Sequence, residues 1–157
     1  MIKDDVYYMK RAIRCAESAA RIGEVPIGAV IVKDGEVVAK GFNTRETKHN
    51  SLHHAEIIAI DRACKKLNAW RLSDCTLYVT VEPCPMCAGA IVNARIKRVV
   101  FGCRDPKAGA YGSVFDLSVY PLNHKYEVTS GVSEDECAKL LSDFFKSLRL
   151  RPKGEKQ

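Results

Sequence analysis

The chain has 157 residues, of which 46% are hydrophobic and 28% are charged, and its formal net charge is +6. This length supports one domain with a buried core and excludes two domains of ordinary size. No apolar run approaches the roughly 20 residues that a membrane-spanning helix needs. No apolar signal core follows the first residues either, so we expect a cytoplasmic protein without a membrane anchor.

The apolar pattern predicts alternating helices and strands along the chain. Residues 5–21 carry apolar side chains at helical spacing. The apolar run 27–32 and the segment 37–42 are predicted to form a hairpin, because the Asp-Gly pair within 33–36 supplies the positive φ angles of a tight turn. The later predicted elements are helix 54–67, strand 76–81, helix 83–93, strand 98–101, a Gly-rich loop at 105–113, strand 125–129 and helix 134–150.

This order of elements predicts the fold class. A strand–helix–strand–helix–strand series needs crossover connections and therefore predicts parallel neighbouring strands. The predicted fold is a three-layer α/β/α sandwich around a five-stranded mixed sheet with a hairpin at one edge. Residues 1–150 form its single domain, and residues 151–157 form a basic C-terminal tail.

Basic residues are concentrated at the C-terminal end of the chain. They are Lys146, Arg149, Arg151, Lys153 and Lys156, with Glu155 as the acidic residue among them. An excess of basic over acidic residues favours an anionic partner without identifying it. A solvated tail is the simpler interpretation of this cluster, and contact with a nucleic acid is the alternative.

The chain has seven cysteines, an odd number that argues against a disulfide framework in a chain without a signal peptide. Cys103 follows a predicted strand and its role is ambiguous, whereas only Cys84 and Cys87 are spaced as a working pair. The others lie within apolar patterns, where buried free thiols are expected, and are Cys15, Cys64, Cys75 and Cys137.

Two short segments carry residues suited to chemistry, His54-Ala55-Glu56 and Pro83-Cys84-Pro85-Met86-Cys87. Each lies at the predicted start of a helix. His54 and Glu56 can converge only in the first turn, since residues two apart point to nearly opposite sides within a helix. Cys84 and Cys87 are three apart, so they lie on one side of a turn and can share a metal ion. A helix N-terminus also favours the thiolate form.

One His and two Cys predict an open zinc site with one Zn²⁺ per chain and its fourth position left for water. Zinc lowers the pKa of bound water to about 7, so hydroxide is available at neutral pH. Glu56 is then placed to act as a proton shuttle. We therefore predict a hydrolytic site.

Two non-enzymatic interpretations compete with this hypothesis. A strand followed by Cys-x-x-Cys and a helix is also how thioredoxin-like proteins place a redox dithiol. A structural zinc site would need a fourth protein ligand, for which His49, His53 and Cys103 are the candidates. However, His-x-Glu followed, after 26 intervening residues, by Pro-Cys-x-x-Cys is the signature of zinc-dependent nucleobase deaminases.

Several further segments carry a closer resemblance, namely 24–30, 41–43, 76–80, 82–90, 98–102, 109–113 and 140–145, together with Asp105. With the His-x-Glu motif they span nearly the whole chain, which closely resembles the bacterial tRNA-specific adenosine deaminases of the cytidine-deaminase-like superfamily. The resemblance implies conversion of adenosine to inosine at the wobble position of a tRNA anticodon stem-loop. It also implies a homodimer in which the partner helps to build the RNA surface.

The resemblance implies a role for each motif residue. His54, Cys84 and Cys87 would hold zinc. Glu56 would take a proton from the zinc-bound water, deliver it to N1 of adenine, and help ammonia to leave after hydroxide attacks C6. Removing this carboxylate should therefore cost far more activity than stability.

The resemblance also implies substrate contacts, and each has a simpler interpretation. The Asn43 amide would bind the purine, although a turn residue is the alternative. Ile27 would form an apolar wall, or it is only a buried strand residue. Asp105 and Lys107 would lie near the backbone of the flipped nucleotide, although an Asp before Pro commonly forms a turn.

On the last helix, Phe144, Phe145 and Arg149 would stack on RNA or contact it, although half of that helix must be core. The chain departs from the family pattern at His53 and Tyr111, where small residues are common. His53 is expected to be a bystander or to support His54. A deaminase of free bases or nucleosides, such as guanine or cytosine, is the alternative enzyme because it uses the same zinc motif.

Overall fold

The structure is a computed structural model that describes residues 2–151. Its elements are α1 (Asp5–Arg21), β1 (Gly28–Lys33), β2 (Glu36–Phe42), α2 (Ala55–Leu67), β3 (Cys75–Val81), α3 (Pro85–Asn93), β4 (Arg98–Cys103), β5 (Glu127–Thr129) and α4 (Glu134–Arg149). A 3₁₀ turn at Leu117–Val119 lies between β4 and β5. All but the first residue of the predicted basic tail, Arg151, lie outside the described residues. Across residues 2–151, no helix combines the length and apolar character needed to cross a membrane.

The five strands form one mixed sheet in the order β2-β1-β3-β4-β5. Strand β1 is antiparallel to both β2 and β3, whereas β3, β4 and β5 are parallel to one another. The predicted sandwich with a hairpin edge is therefore confirmed. The prediction of parallel neighbours is right for β3 and β4 but wrong for β2 and β3, because β1 is inserted between these two strands.

Helices cover both faces of the sheet. Ala29 and Ile31 of β1 belong to the core that includes α2 and α3, whereas Val30 and Val32 belong to the core that includes α1 and Cys137 of α4. This alternation follows from the two-residue period of a strand. It explains why β1 is apolar at nearly every position, since neither face of the strand meets water.

Local sequence signals set the ends of the helices. The Asp4 side chain accepts a hydrogen bond from the Tyr7 N–H at 2.9 Å and caps the start of α1. Asn68 ends α2 in the left-handed conformation, with φ of 50°. These signals explain why the predicted helix boundaries lie within two residues of the observed ones.

A glycine lets α2 approach the sheet closely. A Cβ atom on Gly41 would overlap the backbone oxygen of Ala55 and would lie 2.8 Å from the Ala59 nitrogen. Only a residue without a side chain fits there. The first turn of α2, which follows His54 and contains Glu56, is therefore held against β2.

Candidate active site

Two helix N-termini bring the predicted motif residues together. His54 is the N-terminal cap of α2 and Cys84 is the cap of α3, and neither side chain caps its own helix. Both caps have extended backbone, with φ near −77° and ψ of 154° for His54. Pro85 occupies the first turn of α3, where its missing N–H costs no hydrogen bond. The side chains of these two cap residues are therefore not bonded to their own helices, and they contact each other instead.

The three predicted metal ligands form one cluster. His54 Nδ1 lies 3.5 Å from Cys84 Sγ and 3.6 Å from Cys87 Sγ. The ligand atoms of all three residues lie within 4.8 Å of one another. Tetrahedral zinc with bonds of about 2.1 Å to nitrogen and 2.3 Å to sulfur places these atoms about 3.6 Å apart. The spacing of this donor set therefore fits zinc.

Within residues 2–151, no fourth side chain joins this cluster. His53 is adjacent in sequence, but its Nδ1 lies 3.4 Å from Thr44 Oγ1 instead. His49 and Cys103 also stay outside the cluster. The arrangement is thus a three-ligand set, which is typical of catalytic zinc rather than of structural zinc.

Hydrogen bonds couple the protonation of the two thiols and the imidazole in this cluster. Hydrogen bonds from Cys87 and His54 lower the pKa of the Cys84 thiol to about 4, despite its partial burial. The Cys87 thiol donates to that thiolate and is buried, so its pKa is raised. The hydrogen bond to Cys84 raises the pKa of His54 against the opposing effect of burial. A divalent cation would replace these shared protons.

Glu56 lies in the first turn of α2 beside this cluster and is 4% exposed. Burial raises the pKa of its carboxyl to about 7, and the negative charge of Cys84 acts in the same direction. A group with a pKa near neutrality both accepts and releases protons at physiological pH. Glu56 therefore has the character of a general acid–base residue.

A cleft of about 230 Å³ opens onto Glu56 and the metal-ligand cluster. Three predicted substrate contacts line this cleft, namely Ile27, Asn43 and Asp105. Its other lining residues are Val25, Arg45, His54, Ala55, Glu56, Cys84 and Ala108. We call it the catalytic cleft.

The Asn43 side chain is held by the backbone of its own loop. Its Nδ2 donates to the Val25 carbonyl at 3.3 Å, and its Oδ1 accepts from the Arg45 N–H at 3.1 Å. The second bond is an Asx turn, which is the alternative role considered for this residue. The backbone of Asn43 is not left-handed. The amide is therefore fixed in orientation at the wall of the catalytic cleft.

Three other predicted contacts do not line the catalytic cleft. Lys107 is exposed, on the loop that also carries Asp105. Phe145 is 40% exposed and lines a neighbouring cleft of about 490 Å³ between α4 and the loop after β2. Arg149 is exposed near the end of α4. The two clefts are adjacent, since Val25 and Arg45 line both of them.

Sequence reasoning missed the buried carboxylate of Glu82, which organises the Gly-rich loop at 105–113. It accepts backbone N–H bonds from Asp105 at 3.1 Å, Tyr111 at 2.9 Å and Ser113 at 3.2 Å, and a further bond from the Ser113 hydroxyl. Burial opposes its charge, but these hydrogen bonds outweigh burial and lower the pKa of Glu82. The sequence signal for this role was a charged residue directly after an apolar strand, because a carboxylate buried there needs hydrogen-bond donors around it.

Glu24 holds the other loop of the catalytic cleft in the same way. This carboxylate is 1% exposed and accepts the N–H groups of Glu46 at 3.3 Å and Thr47 at 2.6 Å. Tyr111, by contrast, belongs to the core, where its ring stacks on Phe101 with a centroid distance of 6.4 Å. The Tyr111 ring therefore belongs to the core and does not line the catalytic cleft.

The chain is similar to known deaminases over nearly its whole length. A model of the MafB19-like deaminase family matches residues 3–149. The tRNA-specific adenosine deaminase of Bacillus subtilis (strain 168) is 52% identical to the chain over 154 residues, which cover 98% of this chain and 96% of that protein.

Two solved structures share the fold. One, from work on A-to-I editing by tRNA:A34 deaminases at the wobble position of transfer RNA, is 45% identical with a TM-score of 0.82 and is matched over 86% of this chain and 99% of its own. The other, a guanine deaminase from Nitrosomonas europaea, is 26% identical with a TM-score of 0.76. The match covers 92% of this chain and 86% of that one.

Proposed function

Because this chain belongs to the family of tRNA-specific adenosine deaminases, we propose that it hydrolyses adenosine to inosine at the wobble position of a tRNA anticodon. The observation that carries this proposal is the buried carboxylate of Glu56, beside an open His-Cys-Cys cluster at the base of one cleft. His54, Cys84 and Cys87 would hold one Zn²⁺ per chain. When bound, zinc supplies a hydroxide nucleophile at neutral pH.

Glu56 would perform the proton transfers of the reaction. Water adds at C6 of adenine, and Glu56 moves one of its protons to N1. The carboxyl then transfers the second proton to the amino group, so that the C6–N bond breaks and ammonia leaves as a neutral molecule. A carboxyl with a pKa of about 7 suits both directions of transfer. Such a proton shuttle contributes about 10²- to 10⁴-fold in rate.

The walls of the catalytic cleft supply the proposed contacts to the base. The fixed amide of Asn43 would hydrogen-bond the purine, and Ile27 would pack against its face. Asp105 and Lys107, on the loop held by Glu82, would lie beside the ribose and phosphate of the flipped nucleotide. These roles are supported by the positions of Ile27, Asn43 and Asp105 around the catalytic cleft.

The remaining RNA would extend over the neighbouring cleft. Phe145 lines this cleft with an exposed ring that could stack on a base, and Arg149 lies one helical turn further along α4. The net charge of +6 favours a polyanionic substrate. A tRNA substrate also implies a cytoplasmic location, because tRNA is used there.

We further propose that the protein is a homodimer. Three of the exposed large apolar side chains belong to one segment, namely Val114 at 58%, Val119 at 74% and Tyr120 at 56%. They lie within seven residues of one another, beside the loop that Glu82 holds. A partner subunit packed on this segment would cover them and would adjoin the catalytic cleft.

A deaminase of a free base is the second candidate function. The guanine deaminase from Nitrosomonas europaea has the same fold, and a cleft of about 230 Å³ has room for a small molecule. The two functions differ in their dependence on salt. Binding of RNA releases counterions from its phosphates, and this release becomes less favourable as the salt concentration rises, so the affinity falls.

The decisive experiment measures inosine in an anticodon stem-loop after incubation with the wild type, with Glu56→Ala and with Glu136→Ala. Free adenosine, guanine and cytidine are assayed in parallel. We expect inosine in the RNA from the wild type and from Glu136→Ala, whose carboxyl is exposed on α4, but not from Glu56→Ala. Turnover confined to a free base would instead support the second candidate. No turnover of any substrate would contradict both.

A further inference from the structure

A positively charged cleft of about 320 Å³ lies at the edge strand β2, outside both clefts described above. Arg11 and Arg14 reach it from α1, Lys40 from β2 and Arg62 from α2. Its other lining residues are Cys15, Ser18 and Phe42. We call this feature the basic cleft. Its cations come from three elements that are far apart in sequence.

The four cations of the basic cleft have no acidic partner in the part of the chain that the structure describes. Among residues 2–151, none of them has a carboxylate oxygen within 4.0 Å. Asp61 precedes Arg62, but it pairs with Lys65 at 2.9 Å instead. Glu17 on α1 is exposed, and it forms no ion pair with any other residue in the described part of the chain. Like charges that line one cleft repel one another, so a bound anion would stabilise the cluster.

Neutral oxygen atoms orient two of the guanidinium groups. Arg62 Nη1 donates to the Lys40 carbonyl at 2.9 Å, and Arg11 Nη1 donates to the Tyr7 hydroxyl at 3.5 Å. These bonds position the groups without neutralising them. A planar guanidinium with free N–H groups is suited to the oxygen atoms of a phosphate.

Protection of the sheet edge is a simpler explanation for part of this cluster. Charged side chains on an edge strand prevent pairing with another chain. This explains Lys40 on β2 and Arg62, which covers the Lys40 carbonyl. Edge protection does not explain Arg11 and Arg14, because α1 covers a face of the sheet and not its edge. These two arginines nevertheless line the same cleft as Lys40 and Arg62.

The basic cleft is connected to the catalytic cleft by a short piece of strand. Phe42 lines the basic cleft, and the next residue, Asn43, lines the catalytic cleft. The extended chain from Lys40 to Asn43 spans about 10 Å. A strand of RNA with one base in the catalytic cleft can therefore reach the basic cleft within a few nucleotides.

We propose that the basic cleft binds a backbone phosphate of the RNA substrate outside the edited nucleotide. This inference rests on the proposed function, since it assumes that RNA enters the catalytic cleft. Arg14 and Lys40 are exposed, so their replacement should not disturb folding. The basic cleft would then serve substrate binding without taking part in the chemistry.

The test compares Arg14→Gln/Lys40→Gln with Lys97→Gln/Lys125→Gln. Both double variants lose two positive charges, but Lys97 and Lys125 are exposed near the starts of β4 and β5, at the opposite end of these strands from the site. The probe is an anticodon stem-loop RNA. Its Kd is measured at several salt concentrations, and KM and kcat are measured at a single salt concentration. Thermal unfolding and zinc content check that each variant is intact.

We expect the basic-cleft variant to raise KM and Kd by about 3- to 30-fold, and to reduce the slope of log K against log salt by about 1 to 2. Its kcat should equal that of the wild type, and the control variant should bind RNA as the wild type does. Equal Kd values and equal salt slopes for the two variants would overturn the inference. If the wild type itself makes no inosine, the proposed function fails instead, so the two failures are distinguishable.

Discussion

A Cβ atom on Gly109 would overlap the carboxylate of Glu82. The loop at 105–113 is wrapped so closely around this buried acid that only a glycine fits at that position. The same carboxylate accepts the N–H of Asp105, which lines the catalytic cleft. The Glu82 side chain thus positions the wall of the catalytic cleft that contains Asp105. In the sequence, Glu82 lies two residues before the metal ligand Cys84.

Replacing Glu82 by Gln should weaken both the loop and substrate binding. A glutamine offers one acceptor oxygen, and its NH₂ group would face the N–H donors of the loop. We expect the free energy of unfolding to fall by about 1–3 kcal/mol. We also expect KM for the stem-loop to rise more than kcat falls, because Asp105 loses its position. Urea unfolding and steady-state kinetics measure both effects, with Glu136→Gln as the exposed control. An unchanged KM would show that Glu82 serves stability alone.

Replacing Cys84 by Ser should remove the metal together with the activity. Serine keeps the size of the side chain but is a poor zinc ligand. We expect about one zinc per chain in the wild type and in Cys64→Ser, whose thiol lies outside the cluster, and almost none in Cys84→Ser. Elemental analysis after dialysis against a weak chelator measures this content. Retention of zinc by Cys84→Ser would contradict the proposed ligand set.

Replacing Gly41 by Ala should push α2 away from β2. The added Cβ overlaps the Ala55 carbonyl, so we expect a loss of about 1–3 kcal/mol in the free energy of unfolding. Activity should also fall, since α2 carries Glu56. Gly89→Ala is the control, because its Cβ would have no atom within 4 Å and would favour the helix. Equal stability of the two variants would show that the contact between α2 and β2 relaxes freely.

Replacing Asp5 by Asn should make the protein less stable at neutral pH but not in acid. Arg98 donates to both Asp5 oxygens, at 2.9 and 2.7 Å, and the Tyr78 hydroxyl donates at 2.8 Å. The hydrogen bonds from Arg98 lower the pKa of Asp5 below its ordinary value of 3.8. The stabilisation is therefore fully present above pH 3.8 and is lost as the pH falls through the lower, folded-state pKa.

We expect a loss of about 1–2 kcal/mol for Asp5→Asn at neutral pH, after allowance for the partial exposure of the pair. Urea unfolding of the wild type and the variant between pH 7 and pH 2 measures the difference. Asp34→Asn, at the exposed turn after β1, controls for the change of charge. A difference that stays constant down to pH 2 would contradict the assigned role of the ion pair.

Much of the fold could be predicted because its elements are determined by local patterns. The helical spacing over 5–21, the apolar run of β1 and the Asp-Gly turn after it each act over a few residues. The same holds for the candidate site. The spacing of His54, Glu56, Cys84 and Cys87, each at or near a helix start, already predicts a shared metal site, since such positions leave side chains free to converge.

Only the tertiary structure decided how distant segments meet. The insertion of β1 between β2 and β3 depends on which strand edges pair, and no local pattern records that choice. The roles of Glu82 and Glu24 depend on loops that lie more than 20 residues away. The basic cleft likewise joins cations from α1, β2 and α2. Burial and long-range hydrogen bonds arise between segments, so their partners become visible only when the chain is folded.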